Sequence, residues 1–532
     1  LATFAKRQEY FLFLSTYENL KTDMHQLPVI DLAVIAIYLL GMILIGVRFS
    51  RKNKSAAQFT TASGTIPGWA LGLSLYATFL SSNTFLGVPG KAFGSNWNAF
   101  VFSLSMPLAA FIAAKYFVPF YRRSGAVSAY THLEQRFGPW ARTYATVCFI
   151  LMQLARMGSI FFGAALALQA LTGLDMRTII CVTGICIIIY TVLGGMEAVI
   201  WTEVLQGIVK TTGAIVILCL VIAGMKNGAG DIFRIGIADG KFSPGSFSLR
   251  DFNHSTFWVV LLYGFFINLN NFGMDQNYVQ RYHTARSEKE ASRSIWLCVY
   301  WYVPVSMVFF FIGTALYAYA QQHPEVLLAI KQQAAAERHV PVSALQPSDY
   351  GDKVLPWFMV TKIPSGLMGL IVAAILSAAM STVSSGMNST ATVFLKDIYQ
   401  RYIDPGVTPK KEMRVLYVAS TLAGVLAIGA GISMIGVGSL LDMWWELSGI
   451  FAGGMLGLFL LGMVSGIKNA AAVTATIIGI LIIVWMSLSK YLPAEWVHMR
   501  SHLHANMVIV VGTLSILLAG MLLTQVQRLK TS

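Results

Sequence analysis

The sequence predicts an all-α polytopic membrane protein with thirteen transmembrane helices, and three observations predict it. Apolar side chains make up 56% of the 532 residues against 12% charged, with a mean hydropathy of +0.64; a soluble chain carries about 25% charged residues. Runs of ~20 apolar residues recur along the whole length, each long enough to cross the ~30 Å hydrocarbon core as a helix. The period-two alternation of a membrane barrel is absent.

Taken in order, the spans fall at about 29–48, 67–93, 98–120, 141–171, 176–196, 198–225, 255–281, 293–321, 364–391, 413–433, 439–465, 469–490 and 504–526. Lys and Arg in short loops set the orientation. Loop 49–66 carries Arg51, Lys52 and Lys54, and loop 121–140 carries Arg122, Arg123 and Arg136, with Arg142 just beyond. Loop 282–292 adds Arg286 and Lys289, flanked by Arg281 and Arg293; loop 392–412 adds Lys396, Arg401, Lys410 and Lys411. With thirteen spans these loops share one side with Arg528 and Lys530. That side is expected to be cytoplasmic, with the N-terminus outside. The formal charge of +14 therefore reads as topology; the cations are scattered, which speaks against a nucleic-acid partner.

The five cysteines (Cys148, Cys181, Cys186, Cys219 and Cys298) lie in or at the ends of apolar spans and show no disulfide or metal spacing. Residues 1–27 read as an N-terminal tail, with Met24 ahead of "HQLPVIDLAVIAIYLLG" as the more natural start; residues 28–532 read as one membrane domain. Two longer loops, 226–254 and 322–363, are expected to face outward, the second holding a surface helix at "LLAIKQQAAAERH" (327–339) and then a Pro-containing stretch.

Spans 67–225 and 255–465 each contain five helices, and odd-numbered repeats in series must run in opposite directions through the bilayer. Many secondary transporters are built this way, with the first helix of each half interrupted at mid-depth. Both first helices here look interrupted: "TFLSSNT" in the middle of 67–93, and Asn268, Asn270, Asn271 and Gly273 in 255–281. Polar clusters at this depth suit unwound backbone lining a cavity; the alternative is Asn and Ser gluing helices together. Their matching positions in the two halves favour the cavity. Helices 29–48, 469–490 and 504–526 remain peripheral.

The ninth span carries "SAAMSTVSSGMNSTATV" (377–393), which places Ala378, Ser381, Thr382, Ser385 and Ser389 on one helical face. Hydroxyls and loosened carbonyls are neutral oxygen donors that can replace water around a hard monovalent cation. The alternative is a small-residue packing face. The break "YATFLSS" supplies a partner, with free carbonyls at Ala77 and Leu80.

These stretches carry a resemblance. "LSLYATFLSSNTFLG", "YTVLGGMEAVIWTEVLQG" (190–207), "DQNYVQR" (275–281) and the serine-rich span resemble the sodium/solute symporter family, relatives of the sodium–glucose cotransporters, and within it the bacterial sialic acid symporters. The resemblance runs over nearly the whole chain. It implies a five-plus-five inverted-repeat, LeuT-like core, alternating access, a bacterial cytoplasmic membrane, function as a monomer and Na⁺ as coupling ion. It places the main sodium site on the carbonyls of Ala77, Leu80 and Ala378 and the hydroxyls of Ser381 and Thr382. A second sodium site would fall on Ser381, Ser384, Ser385 and Glu203, where the family has Asp.

Arg156, in "LMQLARMGSIFFGAAL", is an intramembrane charge costing about 2.5–3.5 kcal/mol even on lenient scales, so it needs a reason. A guanidinium suits bidentate capture of a carboxylate; the alternative is pairing with Glu203 or Glu446. The resemblance implies the first, with Ser81 and Thr84 as further substrate contacts. Phe79 and Ser103 stand where sialic acid symporters have Thr and Gln, pointing to a less hydroxylated organic anion. Trp445 stands where galactose transporters have Gln, against a neutral hexose. Na⁺ with a monoanion is electroneutral; a second Na⁺ raises the driving force to ~5.1 kcal/mol for a tenfold gradient and 100 mV.

A membrane enzyme would draw on "HMRSHLH" (498–504), whose histidines lack an acidic partner and "HExxH". A transporter-like sensor would need a signalling domain. The glycines of "GIFAGGMLG" (449–457) read as helix packing. Lys115 and Lys210 read as snorkelling to an interface, and Asp275 with Gln276 as a gate or helix cap.

Overall fold

The computed structural model describes residues 28–51, 53–436 and 440–529. The tail 1–27, Lys52 and Lys530 lie outside the described residues. Among these residues ten helices are long and apolar enough to cross a membrane, and a bent pair makes an eleventh. The molecule is an all-helical, multi-pass membrane protein.

Helix α1 spans Val29–Ser50. Apart from Arg48 in its last turn, its exposed side chains are apolar, among them Ile30, Ile37, Leu40 and Leu44, as on a helix facing lipid. Its one buried acid, Asp31, accepts from the backbone N–H of Gly366 (2.8 Å) and Gly369 (2.6 Å) and fixes α1 to the start of the serine-rich helix. Next come α2 (Gly68–Phe79) and α3 (Ser82–Gly94). The span expected at 67–93 is thus two short helices, parted at Leu80 (φ −87°, ψ 87°) and Ser81 (φ −94°, ψ 176°). Then follow α4 (Trp97–Ser124) and α5 (Pro139–Thr172).

Helix α6 runs Met176–Ala223, opened by Asp175, whose carboxylate caps Arg177 and Thr178 N–H. At ~1.5 Å per residue its 48 residues are far longer than one bilayer. The chain breaks at Gly195 (φ 60°, ψ −164°), a backbone region open only to glycine, between the segments expected at 176–196 and 198–225. The span expected at 255–281 is also two helices, α7 (Phe257–Gly273) and α8 (Gln276–Thr284), bent by 45°. Asp275 caps α8 at Asn277 N–H (2.8 Å), so the cap reading of that residue matches the geometry.

The remaining long helices are α9 (Glu288–Gln322), α10 (Leu367–Val393), α11 (Pro409–Ser433), α12 (Leu440–Met463), α13 (Asn469–Leu488) and α14 (Met507–Leu529). Every residue of α10 from Ile371 to Val393 is buried, and it packs mainly against α6, α5, α11 and α1. The hydroxyl-rich helix is therefore the centre of the molecule. Helices α13 and α14 pack on each other and on α12, at its edge.

Loop 322–363 holds two helices where one was expected. Pro324–Arg338 covers the expected stretch up to its last residue, His339, which is the left-handed cap; Pro347–Lys362 forms in the Pro-containing segment, started by Pro347 and a capping box between Gln346 and Asp349. It packs on α3 where Gly351 meets Gly90: a Cβ on Gly351 would lie 2.7 Å from the Gly90 carbonyl.

Candidate functional site

The break between α2 and α3 leaves the last carbonyls of α2 without partners inside their own helix. Helix α10 faces them. Ser381 Oγ donates to Ala77 O (3.1 Å) and Thr382 Oγ1 to Thr78 O (3.2 Å), and both hydroxyls lie 3.5 Å from Ala378 O. The oxygens expected to form the main sodium site are thus brought together.

A cation of the protein's own sits among them. Lys210 Nζ donates to Ala77 O (2.6 Å), Leu80 O (2.8 Å) and Ser381 Oγ (2.9 Å), and the residue is 0% exposed. This overturns the expectation that Lys210 snorkels to an interface. Lys115, by contrast, is exposed.

Beside it lies a second cluster. Glu203, fully buried, pairs with Arg281 Nη2 at 2.7 Å and accepts from the hydroxyls of Ser74 and Ser385. Arg281 also donates to Ser385 Oγ (2.6 Å), Thr78 Oγ1 (2.9 Å) and, through Nε, Ser74 Oγ (2.9 Å). Of the residues expected at a second sodium site, Glu203 and Ser385 meet around this guanidinium, while Ser384 donates to Ser381 O (3.2 Å). Arg281, read as a loop-flanking charge, is 1% exposed. The sequence signal was its place in "DQNYVQR", two turns along from a helix break.

The third group lines a cavity that, open mouth included, holds about 870 Å³ of empty space. Phe79, Ser81, Thr84, Ser103 and Arg156, all expected at the substrate site, line it together. Asn83, Asn270, Asn271, Asp275, Tyr302 and Trp444 join them. Of the expected asparagine cluster, Asn270 and Asn271 face the cavity. Asn268 instead donates to Ser105 (3.2 Å), as helix glue.

Arg156 is tied here, but loosely. Nη1 lies 3.4 Å from Asp275 Oδ2, and Nη2 lies 3.3 Å from both Thr78 O and Tyr278 Oη. Tight charge-assisted bonds run ~2.7–2.9 Å, so the guanidinium retains bonding capacity toward the cavity. Its acid partner is Asp275; neither Glu203 nor Glu446 takes that place, since Glu446 pairs with Lys490. The Phe79 ring packs in tilted contact with Tyr278 (centroids 4.7 Å apart) and Tyr302 (5.4 Å), forming an aromatic wall. Ser103 is hydrogen-bonded to Ser306 (2.8 Å). Formally, Lys210, Arg281 and Arg156 face two carboxylates, Glu203 and Asp275, leaving one positive charge in excess.

Residues 59–479 match the model of the sodium:solute symporter family. The chain belongs to the sodium:solute symporter family. It is 33% identical over 502 residues to the sodium/sialic acid symporter SiaT of Proteus mirabilis (strain HI4320), covering 94% of this chain and 95% of the relative. It is 31% identical over 489 residues to the sodium/sialic acid symporter NanT of Aliivibrio fischeri (strain ATCC 700601 / ES114), covering 91% of each. A substrate-bound, outward-open Na⁺-coupled sialic acid symporter superposes with a TM-score of 0.82 at 32% identity, over 93% of this chain and 98% of that one. A nucleobase-cation-symport-1 transporter, Mhp1, superposes at 0.55 with 14% identity, over 90% of this chain and 96% of that one, a likeness of fold alone. Among the described residues no three His, Cys, Asp or Glu side chains gather as metal ligands.

Proposed function

We propose that this chain is a sodium-coupled symporter that carries a carboxylate-bearing solute of sialic-acid type into a bacterial cell. The observation that carries the reading is Arg156: a buried guanidinium, incompletely bonded, on the wall of a cavity with the hydroxyls of Ser81 and Thr84. A carboxylate arriving there gains a bidentate partner and neutralises the excess positive charge of the core. The family and the names of the relatives agree with it.

The coupling ion belongs at the oxygens of Ala77, Leu80, Ala378, Ser381 and Thr382, where it ties the break after α2 to α10. That link explains how an ion can favour one arrangement of the two helices and with it the adjoining solute cavity. The phenylalanine at 79 and the serine at 103 narrow the choice of solute; their aromatic and compact surroundings favour an anion with fewer hydroxyls on that side, which is the second reading. Thirteen crossings follow when α2–α3 counts as one span and α6 as two, which gives two inverted five-helix repeats with Lys- and Arg-rich loops toward the cytoplasm.

Thermal unfolding of the detergent-purified protein, with sialic acid, other sugar acids and small carboxylates, in NaCl and in choline chloride, tests this. A sialic acid or sugar acid should raise the midpoint by mass action, and more so in Na⁺. Stabilisation by neutral sugars alone would defeat the carboxylate reading.

A further inference from the structure

Lys210 is a buried charge of the core to which the symport reading gives no task of its own. Its ammonium has three N–H donors, and three oxygens meet them at 2.6, 2.8 and 2.9 Å. None of the three is a carboxylate. Among the described residues no ion pair includes Lys210, because the carboxylate two turns back on α6, Glu203, is held by Arg281, Ser74 and Ser385. An uncompensated charge is taken out of water only where fixed dipoles replace it, and the unwound end of α2 provides them. Small residues make the reach feasible: a Cβ on Gly207 would touch the Tyr76 ring at 3.4 Å, and one on Gly213 would meet Ala374 Cβ at 2.5 Å. Helix α6 is thus pressed against both α2 and α10 on either side of Lys210.

Ala77 O, Leu80 O and Ser381 Oγ are also three of the five oxygens assigned above to the coupling ion. Two monovalent cations cannot share that cage. We propose that the Lys210 ammonium is its built-in occupant and that Na⁺ enters only in exchange for the Lys210 proton. The exchange balances: an aqueous Na⁺ enters, one proton leaves the ammonium for water, and the neutral amine keeps its electron pair and no charge. The net charge of the core is unchanged. This deepens the sodium-coupled reading and rests on it.

Few other ionisable groups surround the cage. Helix α10, across from Lys210, has none. Helix α2 offers Tyr76, bonded to Thr211, and α1 offers Tyr38, bonded to Ser377, with Asp31 at its far end. Helix α6 itself adds Glu203 and Tyr190, the latter bonded to Met380 O. From α8 comes Arg281, from α5 Arg156, and from α9 Cys298 and Tyr302. The charges of α11 sit in its first turns, away from the cage, and the short helix Ala56–Thr61 has none. Among the ionisable groups of the described residues, only Lys210 is hydrogen-bonded to the three oxygens.

The test is Na⁺ binding without solute, by ²²Na⁺ scintillation proximity on wild type and Lys210→Ala, from mildly acidic to alkaline pH. One-for-one exchange tightens wild-type binding about tenfold per pH unit while the lysine is protonated; Lys210→Ala should bind more tightly at acidic pH and show a flat profile. Calorimetry of the wild type in buffers of different ionisation enthalpy should report one proton released per Na⁺, which keeps the test open should the variant fold poorly. A wild type that excludes Na⁺ at every pH while the variant binds it would overturn the exchange and, with it, the sodium-coupled reading of this chain. Equal affinities with the same pH profile, or no proton release on Na⁺ binding, would overturn the exchange and leave sodium coupling standing. No Na⁺ binding to either protein would instead remove the sodium-coupled reading.

Discussion

Glu203 and Arg281 form a fully buried ion pair at the centre of the molecule, and together they bond Ser74, Thr78 and Ser385. Removing one partner of such a pair strands the other in low dielectric, at about 3–5 kcal/mol. Glu203→Gln should therefore lower the thermal unfolding midpoint sharply, and adding Arg281→Gln should recover part of the loss; a midpoint unchanged by Glu203→Gln would mean that the pair is not formed. Arg156 was legible in the sequence because an intramembrane charge always asks for a partner, though its acid, Asp275, was read only as a cap or gate. The same rule applies to Lys210, and reading it as snorkelling to an interface overlooks its depth. It lies near the middle of 198–225, seven residues after Glu203 and so on the same face, and that spacing was the available signal. Arg281 was hidden by the opposite error, because a basic residue near a loop is usually counted as topology.

At the scale of elements, the interruptions were the most readable feature. Serine and asparagine in the middle of an apolar run announced the breaks at Leu80 and near Met274, since polar side chains at that depth belong with unwound backbone. The kink in α6 was legible only as a gap between two spans, because a positive φ leaves no mark beyond a glycine. Gly195→Ala should cost about 1–3 kcal/mol of backbone strain, and its new methyl would lie 3.0 Å from the Asn53 amide. A clear drop in unfolding midpoint is the expected outcome; a neutral effect would show that the two halves of α6 meet through another geometry. The helix Pro347–Lys362 lies in what the sequence shows only as a Pro-containing stretch, and at a first helical turn proline costs nothing. Its capping box was the better guide.

Around the cavity and the contact of α2 with α10, the molecule places three cations, Lys210, Arg281 and Arg156, and two carboxylates, Glu203 and Asp275. A single negative charge completes that set, which is the electrostatic reason for an anionic cargo. Composition made the membrane class plain, and the order of motifs made the family plain. Neither reveals which side chain a cavity points at, because that depends on how α2, α5, α7 and α10 converge. Breaking a buried charge contact with a ligand costs ~2–5 kcal/mol, so Arg156→Ala should weaken solute binding by about 30-fold or more. The decisive measurement is uptake of radiolabelled sialic acid into proteoliposomes under an inward Na⁺ gradient, wild type beside Arg156→Ala. The wild type should concentrate the label only while the gradient lasts, and the variant should not concentrate it. Accumulation by Arg156→Ala at the wild-type level, or wild-type accumulation that survives collapse of the gradient, would contradict a carboxylate cargo driven by a cation.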